Sequence, residues 1–155
     1  STAAMPPNPL PLMSPDRLLL ANLALSLYMT GLIWFVQIVH YPLFLAIPPG
    51  SFPAYEGRHQ FLTGFVTAPP MVAELLASLA LCLALPLVRL YWATTALTLL
   101  LWASTFFLQV PLHNRLSIHF DPATAQSLVS TNWLRTAAWT LRSTLLLWAL
   151  LRRPA

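Results

Sequence analysis

Between Leu18 and Ile47 the chain carries no charged side chain. At ~1.5 Å per residue such a run, if helical, outlasts the roughly 30 Å hydrocarbon core of a bilayer. A segment in lipid must satisfy its own backbone N–H and C=O groups, which leaves a helix or a closed barrel. Ser26, Thr30, Gln37 and Tyr41 recur at helical rather than alternating spacing, so this run reads as a tilted or protruding first span with a polar stripe turned toward protein. Composition agrees, with 57% hydrophobic and 8% charged residues and a mean hydropathy of +0.68, against about 25% charged in soluble domains.

The expected fold is all-α: an integral membrane four-helix up-down bundle with a short interfacial helix in the first outer loop. Residues 1–17 form a Pro-rich N-terminal arm, whose leader over residues 1–12 cannot be helical, and 18–155 a single transmembrane domain. Pro48-Pro49-Gly50-Ser51 ends span one, and Ser51 can cap a new helix. Within 51–66, Phe52, Tyr55, His59 and Leu62 share a face while Glu56, Arg58 and Gln60 point elsewhere, the pattern of a helix lying on the membrane surface as a lid.

Pro69-Pro70 restart the chain as span two, about 69–88. There Ala73, Ala77, Ala80 and Ala84 form a ridge for close helix packing beside a row of Glu74, Ser78 and Cys82. A tight turn at Pro86 and Arg89 leads into span three, about 90–110, with a polar row of Thr95, Thr98, Trp102, Thr105 and Gln109 that ends at His113. Asp121-Pro122 signals an N-cap with proline at the first helical position. Span four follows, with a polar face of Asn132, Arg135, Thr136, Trp139, Arg142 and Ser143.

All eight basic residues are arginines and the net charge is +4. Spread over loops, this sets topology and makes no nucleic-acid footprint. Arg17, Arg89, Arg152 and Arg153 fall on one side and Arg58 and Arg115 on the other. Both termini are therefore expected in the cytoplasm of a bacterial inner membrane. The lone Cys82 can form no internal disulfide.

An ionisable group at membrane depth costs about 2.5–3.5 kcal/mol on insertion scales. Glu74 therefore needs a partner, and Arg135 and Arg142 are the two available. In an up-down bundle Gln37, His40, Tyr41, Tyr55, His59, Glu74, Gln109, His113, Asn132 and Arg135 all reach the same outer end. Three readings follow from that convergence. His40, His59, Glu74 and His113 could hold a metal or haem, with copper or iron suited to imidazole. Glu74 and Arg135 could instead act on a small quinone-like or phenolic ligand lined by Gln37, His40, Tyr41, Tyr55, Gln109, Asn114, Asn132, Trp139 and Arg142, with aromatic walls from Trp34, Trp102, Phe106, Trp133 and Trp139. Or the pair is structural, and the chain is an accessory subunit of a larger respiratory or photosynthetic membrane complex, or a homo-oligomer. The inner half of every span reads as Leu, Ala and Thr, which disfavours a channel or pump.

The succession Pro111-Leu-His-Asn-Arg-Leu116, then Asn132-Trp-Leu-Arg-Thr136 and Trp139-Thr-Leu-Arg142, after a first span ending His40-Tyr-Pro42, resembles small uncharacterised bacterial four-span proteins. More distantly it is similar to the anthrone-oxygenase-like membrane family. That resemblance implies cofactor-free or metal-assisted oxidation of an aromatic substrate, with Asn114, Asn132 and Arg135 at the matching positions.

Overall fold

The computed structural model describes residues 13–152, so most of the Pro-rich arm and Arg153 lie outside the described residues. Within them the protein is helical. Helix α1 is Pro15–Phe35, α2 Phe52–Ala84, α3 Arg89–Ser104, α4 Val110–Ile118 and α5 Pro122–Leu151. Wider π turns at Val36–His40 and Thr105–Gln109 extend α1 and α3, and a 3₁₀ turn at Pro42–Ala46 closes the first segment. Three stretches, Pro15–Ala46, Phe52–Ala84 and Arg89–Ile118, are long and apolar enough to cross a membrane. Helix α5 has the length but carries the polar face already read from the sequence, and Asn132, Arg135, Thr136, Trp139, Arg142 and Ser143 are all buried on it.

Helix α1 packs on α2 and α5, and α3 packs on the same two, which leaves α1 and α3 diagonal across the core. One apolar cluster joins Met29, Ile33, Phe44, Phe52, Leu101, Leu116 and Leu128, and a smaller one joins Leu19, Leu81, Tyr91 and Leu146 at the opposite end. The expected row on α2 is buried through Glu74, Ser78 and Cys82, whereas Ala73, Ala77 and Ala80 sit half-buried at its edge. Asp121 caps α5 as the sequence signals, accepting from the backbone N–H groups of Ala123 and Thr124. The hydroxyl and N–H of Thr124 hold its carboxyl below the usual carboxylate range.

Helix α2 corrects the expected break at Pro69-Pro70, because residues 52–84 form one continuous helix. The short helix within 51–66 is therefore not a separate element, and Ser51 donates to the Pro48 carbonyl instead of capping with its side chain. Proline 70 has no N–H for the carbonyl four residues back, at Val66. The Tyr28 hydroxyl of α1 donates to that carbonyl at 3.3 Å. A neighbouring helix thus supplies the missing donor, and the helix runs on.

Glu74 takes Arg142 as its partner, at 2.5 Å between Oε1 and Nη1. Arg142 also donates through Nε to the Thr98 hydroxyl at 2.7 Å, and through Nη2 to Asn22 Oδ1 and to the Ser78 hydroxyl. This network sets Asn22, Ser78 and Arg142 among the leucines, alanines and threonines of the spans. It also moves Glu74 away from the histidines, since Glu56 and Glu74 are roughly 27 Å apart along α2 at 1.5 Å per residue.

A second contact, between α1 and α5, joins the Ser143 hydroxyl to Ser26 and Thr30, each at 2.8 Å. Interhelical hydrogen bonds of this kind average about 0.6 kcal/mol in membrane proteins. Ser143→Ala is accordingly expected to cost less than about 1 kcal/mol in reversible unfolding in micelles, and a larger loss would show that the three hydroxyls act as one unit.

Candidate functional site

The polar residues gather where the π turns lie. A π turn carries one extra residue, so the side chains after it are rotated off the preceding stripe. At the first, the Tyr41 N–H reaches back five residues to the Val36 carbonyl at 2.9 Å. Pro42 and Pro111 follow the two turns closely, and neither has an N–H for the carbonyl four residues back. The result is that Gln37, His40 and Tyr41 on one side, and Gln109 and His113 on the other, face the first turns of α2 and the middle of α5.

The acid in this cluster is Glu56. It is fully buried, and its Oε1 lies 2.5 Å from His113 Nδ1. His113 Nε2 is 2.9 Å from the Tyr41 hydroxyl. His59 Nδ1 lies 2.9 Å from His40 Nε2 and 3.1 Å from the Thr63 hydroxyl. Phe44 packs edge-on against His40 and His59, and Phe52 packs on Phe44 and Phe120. These rings pack over one side of the cluster, and His40 stays partly exposed.

Below the histidines is a cavity of about 180 Å³. One wall is apolar, built by Met29, Leu32, Ile33, Val36 and Val110, and the other presents Tyr41, His59, Gln109, His113 and Arg135. A second hollow of about 200 Å³ on the α1–α2 seam shares Leu32, Val36, His59 and Thr63 with it. Those four residues therefore stand between the cavity and the apolar outside of the bundle.

Arg135 is the unusual member of the polar wall. It is 7% exposed, and Nη1 donates to Asn132 Oδ1 at 3.3 Å while Nε has no partner. Its guanidinium lies 5.2 Å from the Trp139 ring centroid and faces the Tyr41 phenol. Among the described residues the ion pairs are Glu56–His113 and Glu74–Arg142, so no carboxylate answers Arg135. The Gln109 amide donates to Thr131 at 3.0 Å and leaves Oε1 unpartnered, as Glu56 leaves its Oε2.

Several expected roles move. His40, His59 and His113 come together, but Glu74 is held by Arg142 and by the Trp139 Nε1–H at 3.1 Å, and Glu56 replaces it beside the imidazoles. Arg142 belongs to the Glu74 network and not to the cavity wall. Gln37 donates to the Val129 carbonyl and accepts from Asn132, so this amide pair supports Arg135 from behind. Tyr55 is half-exposed and stacks on His59 from outside, and Asn114 is exposed. The expected aromatic walls are absent from the cavity: Trp34 and Trp133 pair edge-to-face on the exterior, Trp102 stacks on Phe106, and Trp139 lies beneath Arg135.

Glu56 was legible in principle. Glu56-Gly-Arg-His59 puts a carboxylate and an imidazole three residues apart, on one helix face. Comparison with family models, curated proteins and solved structures gives no match.

Proposed function

We propose that this is a four-span membrane protein whose cavity binds a small lipophilic ring compound bearing an ionisable oxygen, of the phenol or quinol class. Arg135 carries the reading. A buried guanidinium without a carboxylate is costly, and a ligand oxyanion in the adjoining cavity offsets that cost. Its free Nε and the free Gln109 Oε1 offer one donor and one acceptor to the ligand's oxygen. The volume suits a single substituted ring, since a cavity of about 150 Å³ accepts benzene. The hollow on the α1–α2 seam gives such a compound a way in from lipid.

The chemistry that follows is proton removal. Tyr41 takes the ligand's proton as it passes its own to His113 Nε2, and His113 passes its Nδ1 proton to Glu56. The oxyanion left behind faces Arg135. An electron-rich phenolate is primed for oxidation by an acceptor such as dioxygen, the reaction class implied by the resemblance to anthrone-oxygenase-like proteins. Titration of the detergent-purified protein with alkylated phenols and quinols should give saturable binding that tightens as the ligand ionises. Binding that ignores ligand ionisation would count against the role given to Arg135.

In this reading the helices run up-down-up-down with both ends in the cytoplasm and the site toward the outside. Arg58, Arg89 and Arg115 are exposed and Cys82 is buried. Cysteines placed at 58 and 115 should label from outside and one at 89 only after permeabilisation, and the reverse pattern would invert the topology.

A further inference from the structure

We propose that Glu56, His59 and His113 form a binding site for one divalent first-row transition-metal ion, of the iron(II) or zinc class. This goes beyond ring binding and does not depend on it, and an ion held by His113 Nδ1 and Glu56 would stand in place of the proton step between them. One ligand atom from each of the three lies within 4.8 Å of the others. Two atoms bound to one ion are separated by at most about 4.2 Å, twice a bond of ~2.1 Å, so small side-chain rotations close the set. Two imidazoles and a carboxylate form the facial arrangement that leaves positions open on a metal.

The groups behind the ligands point the same way. A ligating histidine normally has its other ring nitrogen held by the protein, which fixes tautomer and ring direction. His113 has Nε2 held by Tyr41, leaving Nδ1 toward Glu56. His59 has Nδ1 held by His40 and Thr63, leaving Nε2. Glu56 is fully buried, and its Oε2 has no partner. An ion replacing the proton between His113 and Glu56 would bind both groups and compensate that carboxylate more completely than one hydrogen bond does. His40 and Tyr41 are then positioning residues.

The test is titration of the full chain, purified in mild detergent and stripped with a chelator, with cobalt(II) read by visible absorption. One cobalt per chain is expected, with bands of low-coordinate nitrogen and oxygen ligation that zinc abolishes. Glu56→Gln and His59→Ala should each weaken binding about tenfold or more, and His40→Ala about 10- to 100-fold as for other residues behind metal ligands. The exposed His119→Ala should bind like wild type. A wild-type titration showing only the aqueous cobalt spectrum overturns the proposal, whether or not any variant folds. So does a folded Glu56→Gln protein that binds as tightly as wild type. Ring uptake is measured separately, so cobalt binding without ring uptake would remove only the ligand reading.

Discussion

Arg142→Met is expected to cost about 3–5 kcal/mol of stability, the range for stranding one partner of a buried ion pair. The loss should be large because Arg142 serves several acceptors at once. Methionine fills the space but leaves the Glu74 carboxylate with the Trp139 N–H and the Ser26 hydroxyl and no cation. It also removes the donor from Asn22 Oδ1 and from the Thr98 hydroxyl. Glu74→Gln should cost less, about 1–3 kcal/mol. The amide keeps an oxygen for Arg142 or Trp139, and Arg142 retains Thr98, Ser78 and Asn22. Unfolding of both variants in mixed micelles checks the order, and equal, negligible losses would show that the pair does not hold the helices together.

Arg135→Met should behave in the opposite way, although it lies on the same helix and the same face. Its guanidinium has Asn132 Oδ1 at 3.3 Å and the Tyr41 phenol as neutral partners, no carboxylate and a free Nε. Removing a buried cation so poorly compensated should leave stability unchanged or raise it. Ligand binding should fall instead. A hydrogen bond to a charged group is worth about 1.5–3 kcal/mol, which corresponds to roughly 10- to 150-fold in affinity. The two arginines therefore separate support from function within two turns of α5. A loss of folding in Arg135→Met with unchanged ligand affinity would assign it to the scaffold.

The parts of this structure that were legible in the sequence follow from cost. A carboxylate and an arginine in otherwise apolar helices must be reconciled, and Glu74–Arg142 is one of the two pairings open to the chain. Likewise Asp121-Pro122 identifies the start of α5 because cap and proline act locally. Glu56 was hidden by phase. Read as a separate surface helix, 51–66 turns Tyr55 and Leu62 inward with His59. As the first turns of a continuous α2, it buries Phe52, Glu56 and His59 and turns Tyr55 and Leu62 outward. The continuity depends on Tyr28 answering the Val66 carbonyl, a contact between two helices that no local pattern around Pro69-Pro70 announces.

The π turns were equally hidden. An extra residue shifts the stripe that follows it by one position, but the runs after Val36 and Thr105 are too short and too apolar to display the shift, and the nearby prolines are as consistent with a helix end as with a widened turn. A span two that starts at Pro69 places Glu74 at the level of the histidines, whereas the continuous α2 sets it several turns from Glu56. The bundle instead holds two levels, Glu56 with the histidines and Glu74 with Arg142, joined by Trp139, which donates to Glu74 and lies under Arg135.

The cavity beside Arg135 is proposed to hold a ring compound with an ionisable oxygen. Native mass spectrometry of the protein released from mild detergent tests it directly, with absorption spectra of an organic extract of the same sample. One ring-bearing compound per chain is expected, retained by wild type and by Glu74→Gln and lost from Arg135→Met. A protein that carries no such compound, and takes up none from added phenols and quinols while remaining folded, would contradict it.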